Sequence, residues 1–339
     1  MAEALELAEF LAAPGVVLDV RSPGEYEQGR IPHACNLPLF SNLERAVVGT
    51  IYKQVGKEPA IAKGMEFVEP KFDEFIATAK NYVHAGIAKV HCWRGGMRSS
   101  SMAWLLNSNG LAAITLQGGY KTFRRWALKA VEKPLQLLIL GGLTGSGKTD
   151  ILQALKAKGE QVLDLEAIAH HRGSSFGLLN MPTQPSTEQF ENEIALQWDS
   201  FDPNRPVWIE DESRMIGSCK IPDAIFDQMR TAQLVIIECS LTERLARLNQ
   251  EYGNANPSDL ITATQRIHKH LGGTRTQEII TNIHNNQILD AIAIALNYYD
   301  NTYKHALGRR KQEYHTLSYD NLSAQQWADV LLSFKARCQ

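Results

Sequence analysis

The string Gly142-Leu143-Thr144-Gly145-Ser146-Gly147-Lys148-Thr149 constrains this chain more than any other stretch. It follows the apolar run Leu135 to Leu140 and precedes Asp150-Ile151-Leu152-Gln153-Ala154-Leu155, which reads as a helix. Strand, Gly-x4-Gly-Lys-Thr, helix is a phosphate-binding loop in the context that gives the pattern meaning. Gly142, Gly145 and Gly147 let the backbone N–H groups around Thr144 and Ser146 converge on an anion, and the helix start adds the positive end of its dipole. Lys148 supplies a mobile cation, and the Thr149 hydroxyl can ligate magnesium. The loop calls for a parallel α/β sheet around it and a diphosphate or polyphosphate inside it. It names neither the anion nor its fate.

At 339 residues the chain is long for one core and comfortable for two domains, which we place at 1–130 and 131–339. An apolar content of 44% and a charged content of 21% are those of an ordinary globular protein. No apolar run approaches the ~20 residues that span a bilayer. The N-terminus Met1-Ala2-Glu3-Ala4-Leu5-Glu6-Leu7 is acidic, without the layout of a signal peptide, so no membrane and a cytoplasmic location are expected. Cys35, Cys92, Cys219, Cys239 and Cys338 are scattered with no Cys-x-x-Cys pair, which argues against a disulfide framework or a zinc site.

The net charge is −2, so the whole molecule is not a basic nucleic-acid binder. Residues 1–130 nevertheless carry 15 basic against 12 acidic side chains, and the remainder 20 against 25. Basic clusters at Lys121, Arg124, Arg125 and Lys129, and at Lys304, His305, Arg309, Arg310 and Lys311, could meet an RNA backbone. A solvated face is the alternative for both.

In the first half, Val16 to Val20 reads as a buried strand, Pro23 and Gly24 punctuate a turn into a helix, and Ile31 to Pro38 is extended. Ala88 to His91 is a second strand, running into Cys92-Trp93-Arg94-Gly95-Gly96-Met97-Arg98-Ser99-Ser100 and a helix over Met102 to Leu106. Ala113 to Leu116 and Gly118-Gly119-Tyr120 close the unit. Alternating strands and helices imply a parallel sheet covered on both faces.

Cys92 thus stands at the carboxyl end of a strand, where open α/β sheets place ligands. The loop amides of Gly95 and Gly96 with the helix start form an anion cradle, and Arg94, Arg98 and the dipole would favour the thiolate. Cys-x5-Arg alone also describes a tyrosine-phosphatase loop. The upstream strings Asp19-Val20-Arg21-Ser22-Pro23-Gly24-Glu25-Tyr26 and Gly29-Arg30-Ile31-Pro32-His33-Ala34-Cys35-Asn36-Leu37-Pro38 decide, because they closely resemble the opening of rhodanese domains. That resemblance implies a cysteine carrying a persulfide or an analogous chalcogen species, and the position maps onto Cys92. Cys35 falls where the family usually has a plain aliphatic residue and reads as a small buried side chain rather than a resolving thiol.

In the second half, Gln161 to Leu165 reads as a strand leading to the polar loop Ala169-His170-His171-Arg172-Gly173-Ser174-Ser175-Phe176-Gly177. Thr187 to Trp198 is a helix. Pro206-Val207-Trp208-Ile209-Glu210-Asp211-Glu212 is a strand ending in carboxylates, so that Thr149, Glu210 and Asp211, ahead of Glu212, are the expected magnesium ligands, with strand-edge solvation or helix capping the alternative for the carboxylates. Leu234 to Cys239 is another strand, and Thr242 to Leu248 a basic-faced helix like that before the lid of small P-loop kinases. The chain then reads as helical through Tyr303, with a last strand over Glu313 to Leu317 and a last helix over Ala324 to Phe334. The fold class is therefore α/β: a rhodanese-like doubly wound domain, then a P-loop NTPase/kinase-like α/β domain with a helical C-terminal part.

Further strings narrow the family: Val48-Gly49-Thr50-Ile51-Tyr52-Lys53-Gln54-Val55-Gly56, Gly118-Gly119-Tyr120-Lys121, His171-Arg172-Gly173-Ser174-Ser175-Phe176-Gly177 and Glu210-Asp211-Glu212-Ser213-Arg214. With the Cys92 loop they resemble the tRNA 2-selenouridine synthase family over nearly the whole chain. The resemblance implies a transferase whose substrate is tRNA carrying wobble 2-thiouridine. Its co-substrates would be geranyl diphosphate, which S-geranylates the base, and selenophosphate, which replaces the geranylthio group. The enzyme that makes selenophosphate would be a partner. On this reading Cys92 serves the selenium step, the 142–149 loop with Arg172 and magnesium holds the diphosphate, and His170 and His171 add contacts to it. Two readings stay open beside it: a rhodanese-fused ATP-dependent kinase, NTPase or sulfurtransferase, and a nucleotide-gated RNA-binding or redox-sensing protein with Cys92 as its switch.

Overall fold

A computed structural model describes residues 2–84, 86–310 and 313–338; Lys311 of the second basic cluster lies outside the described residues. The chain divides into two compact units, Met1–Ala130 with Glu191–Leu196, and Val131–Phe190 with Gln197–Gln339.

The first unit holds one parallel sheet of β1 (Ala4–Leu5), β2 (Val16–Asp19), β3 (Cys35–Asn36), β4 (Ala88–His91) and β5 (Ala113–Leu116), in the order β1-β5-β4-β2-β3. Every residue of β4 and β5 is buried, as strands covered on both faces must be. The order reverses between β2 and β4, where Leu18 lies opposite Val90 and Asp19 opposite His91. Chain leaving the carboxyl ends of these two strands diverges and opens a crevice. Leu18, Val90, Phe75, Met102 and Leu106 form the core beneath it. Among the features not read from the sequence are the edge strand β1, only two residues long, and the helices Asn42–Gln54 and Lys57–Val68. The first of these helices begins with a capping box, in which Ser41 Oγ accepts from the Glu44 amide and Glu44 reaches back to the Ser41 amide.

The second unit has a central parallel sheet of β6 (Leu137–Gly142), β7 (Gln161–Leu163), β8 (Val207–Glu210), β11 (Gln233–Glu238) and β12 (Tyr314–Ser318). Its order is β12-β11-β6-β8-β7, with a small antiparallel pair, β9 (Met215–Ile216) and β10 (Cys219–Lys220), beside it. The reversal again falls beside a loop-bearing strand, between β6 and β8. Strand β7 stops short of the expected Leu165 because Asp164 caps the helix Leu165–Ala169, its Oδ1 accepting from the Ala167 amide at 2.9 Å. Leu152, Leu155, Trp208, Trp327 and Leu331 pack one face of the sheet. A second apolar cluster, including Leu248, Leu260, Ile279, Ile283 and Leu296, comes from the helices Leu241–Tyr252, Pro257–Arg266, Gly273–His284 and Ile288–Gly308. Among the described residues no helix is long and apolar enough to cross a membrane.

Candidate functional site

Each unit carries a strand–loop–helix cradle at its sheet reversal. In the first, β4 delivers Cys92 into a loop that Gly96 closes as the N-cap of the helix Met97–Ser108. The floor of the loop is the start of the helix Gly119–Ala130: Tyr120 N donates to Cys92 O at 2.8 Å and Lys121 N to Trp93 O at 2.9 Å. Gly119, at φ +61°, is required here, since a Cβ would lie 2.4 Å from both Cys92 O and Gly95 N. The Cys92 thiol is almost wholly buried, with Gly96 N at 3.4 Å and Ser99 Oγ at 3.3 Å. Burial pushes the thiol up, but hydrogen bonds from Ser99, Gly96 and the Arg94 amide, with the charge of Arg98, outweigh it and hold the pKa below its ordinary value. Arg94 acts through its amide; its side chain points into solvent. The Arg98 guanidinium is engaged by Glu25, 2.9 Å away, a contact the sequence reading did not foresee.

Behind this loop lies a buried ion pair. Arg21 donates to both Asp19 oxygens and to Gly29 O, and its guanidinium lies 3.9 Å from the centroid of the Tyr120 ring. Burial raises the Asp19 carboxyl, but the charges and hydrogen bonds of His91 and Arg21 win and lower it. Asn36 Nδ2 donates to the carbonyls of Asp19 and Arg21, tying β3 to the same turn. Cys35 packs against the core cluster as a small half-buried side chain.

In the second unit, β6 delivers Gly142 into the phosphate loop and the helix Lys148–Ala157 leaves it. Gly145 (φ +80°) lies where a Cβ would strike Leu248 at 2.9 Å, so the loop hugs the helix Leu241–Tyr252. That helix supplies two arginines absent from the sequence-derived site. Arg244 Nε donates to Thr144 O at 2.9 Å, while its guanidinium forks onto Asp300. Arg247 donates to Gly145 O at 2.6 Å and packs beside Gly147. Lys148 Nζ donates to Gly142 O at 3.0 Å, and the buried Ser146 hydroxyl has no partner among the described residues. A cradle with an orphaned hydroxyl and an unspent cation fits an anion.

The carboxylates around it are arranged differently from expectation. Asp211 is taken up by Arg310 and by the Tyr303 hydroxyl, which also accepts from Gly142 N at 3.1 Å. Glu166, which the sequence reading passed over, accepts from Thr149 Oγ1 at 3.2 Å. Glu210 accepts from the Glu166 amide through one oxygen and buries the other without a partner among the described residues. Burial, then mutual repulsion, raises Glu210 and pushes Glu212 up to about 8; burial likewise raises Glu166, against the pull of Lys148. Among the described residues no group of three His, Cys, Asp or Glu side chains is arranged to hold a metal ion. The oxygens of Thr149 and Glu166 suit magnesium, which takes one or two protein ligands and fills its sphere with phosphate and water.

Arg172 lies 2.7 Å from Glu251 and faces the same space. His171 instead packs against Gly177 and Gly217, where burial lowers its pKa, and His170 binds Thr183 O; neither lines the cavity. The cavity itself, about 690 Å³, has a polar end formed by Gly145, Lys148, Thr149, Glu166, Arg172 and Arg247. Its far wall is apolar: Phe176, Leu260, Ile279, Ile283, Ile288, Ala291, Ile292, Ala295 and Leu296. Of the basic candidates, Lys121, Arg125 and Arg309 are exposed, whereas Arg124 is engaged by Glu191 and Asn192 and Arg310 by Asp211.

Comparison with known proteins covers both units. Residues 3–125 match the rhodanese-like domain and residues 135–330 the "tRNA 2-selenouridine synthase AAA domain". A tRNA 2-selenouridine synthase from Shewanella denitrificans is 34% identical, over 96% of this chain and 97% of its own. That of Shewanella piezotolerans is 33% identical over 97% and 99%, and that of Proteus mirabilis 32% over 96% and 97%.

Proposed function

This chain belongs to the tRNA 2-selenouridine synthase family, and we propose that it converts wobble 2-thiouridine of tRNA in two steps, one for each loop. In the first, the thiocarbonyl sulfur attacks C1 of geranyl diphosphate. The C1–O bond breaks with its electron pair on the departing diphosphate, and the N3 proton of the base is lost to solvent. The single observation that carries this reading is the cavity of the second unit, in which an anion cradle opens directly onto an apolar wall. A prenyl diphosphate has that polarity. The Lys148 ammonium and the loop amides stabilise charge growing on the diphosphate, where preorganised donors count most. Arg172 and Arg247 stand at the same end. Magnesium, held by Thr149 and Glu166, would neutralise further charge there.

In the second step selenium of selenophosphate bonds to C2 of the base, the C2–S bond breaks with its electron pair on sulfur and geranylthiol departs with a proton; water then cleaves the Se–P bond, leaving 2-selenouridine and inorganic phosphate. We assign this step to the Cys92 loop, whose Gly96 amide donates to the sulfur and whose thiol is held toward the thiolate. Mass spectrometry of nucleosides tests the whole. Protein, 2-thiouridine tRNA, magnesium and geranyl diphosphate should give the S-geranyl nucleoside, which selenophosphate then converts to 2-selenouridine. An unchanged nucleoside with ATP consumed would instead support the kinase or NTPase reading.

A further inference from the structure

We propose that the helix Ile288–Gly308 is a ruler for the length of the prenyl chain and that Ala295, seconded by Ala291, sets it. The inference rests on the prenyl diphosphate reading above. Its basis is geometric. Cavity-lining residues recur along this helix every three or four positions from Ile288 to Ala306, so one face of it borders the cavity for about five turns. One end of the ruler is fixed at the anion cradle, because the Tyr303 hydroxyl meets Gly142 N at 3.1 Å. At about 1.5 Å per residue, Ala295 lies about 12 Å and Ala291 about 18 Å down the axis from Tyr303. An extended isoprene unit, four carbons along its main chain, occupies about one helical turn of about 5.4 Å. Allowing the first turn for the diphosphate, a two-unit chain runs past Ala295 toward Ala291, and a third unit must pass Ala291 to meet Ile288.

The side chains follow that scheme. Facing residues are large, Ile279 and Ile283 across the cavity and Leu296 beside it, whereas Ala291 and Ala295 are the smallest of the cavity-lining residues between Ile288 and Leu296. Both are buried, so a longer side chain at either has no solvent to turn into and must occupy the cavity. A leucine at 295 would shorten the usable chain to one isoprene unit; a leucine at 291 acts one turn later.

The test is a competition. Full-length protein, 2-thiouridine tRNA and magnesium are given equal dimethylallyl, geranyl and farnesyl diphosphate, and the prenylated nucleosides are counted by mass. Wild type should favour geranyl. Ala295→Leu should shift the geranyl-to-dimethylallyl ratio at least about tenfold toward dimethylallyl, the scale of overfilling a packed site, and Ala295→Val should shift it less in the same direction. Ala291→Leu should lower farnesyl relative to geranyl. Persistent dimethylallyl transfer proves the variants folded. Wild-type donor ratios in Ala295→Leu overturn the ruler, as does loss of all three transfers in both Ala295 variants, because the ruler leaves the short donor a path. Failure of wild type with every prenyl donor would instead overturn the underlying reading.

Discussion

The Cys92 loop and the 142–149 loop are the same backbone device put to different ends. Both follow a central parallel strand at a reversal of strand order, both need glycines at positive φ, and both end in a helix start. What stands opposite differs. At Cys92 the side chains are already engaged: the sulfur is buried, Arg98 is held by Glu25, and the Arg21–Asp19 pair locks the turn behind. At Gly142 they leave room: Ser146 has no partner among the described residues, Lys148 rests on a carbonyl, and a cavity of about 690 Å³ leads away from it. A loop of amides therefore specifies only that an anion comes. Whether the site makes a nucleophile or holds a leaving group depends on the side chains other elements bring.

The largest way to break this comparison is at Lys148. Lys148→Ala should lower geranyl transfer by about 10²–10³-fold, the scale of losing one preorganised donor, while the alkylation rate of Cys92 stays at its wild-type value. A lysine variant that still geranylates would sink the diphosphate assignment. Next is the lock behind the Cys92 loop. Arg21→Met leaves Asp19 buried without its partner and should cost about 3–5 kcal/mol in urea unfolding of the first unit. The double variant Arg21→Met, Asp19→Leu should recover most of that loss.

A smaller effect concerns the thiol. Because the Cys92 pKa is lowered in the folded protein, its thiolate persists as pH falls below the ordinary thiol value and is lost only through the depressed one. Iodoacetamide labelling should thus show a midpoint below about 8.5, and Ser99→Ala should move that midpoint upward. An unshifted midpoint in wild type would show that burial wins over the hydrogen bonds. The smallest effect separates free from engaged cations. Arg309→Ala should reduce the salt slope of tRNA binding by about 1, as loss of one phosphate contact does. Arg310→Ala, whose guanidinium is engaged by Asp211, should leave the slope alone.

Legibility followed locality. Both loops could be read because glycine spacing, strand and helix lie within about fifteen residues of one another, and strands β4 and β5 fell where their apolar runs placed them. The apolar wall could not: Ile279, Ile283, Ala291 and Ala295 carry the periodicity of any buried helix, and only the tertiary fold turns that face toward the phosphate loop. Glu166 was hidden because one carboxylate after a short strand is indistinguishable from a helix cap. Arg247 left a signal, the basic face over Thr242 to Leu248, but nothing in the sequence said which way that face points. Asp211 shows the limit of strand-end position: it lines the cavity as that position suggests, but its contacts with Arg310, some hundred residues on, and with Tyr303 left no local signal.

The division of labour between the two loops is tested most directly by Cys92→Ala supplied with geranyl diphosphate and selenophosphate together. Its nucleosides would be followed in time by mass spectrometry beside wild type. The account predicts that S-geranyl-2-thiouridine forms at the wild-type rate and accumulates, with no 2-selenouridine. Selenouridine from this variant, or failure to geranylate, would contradict it.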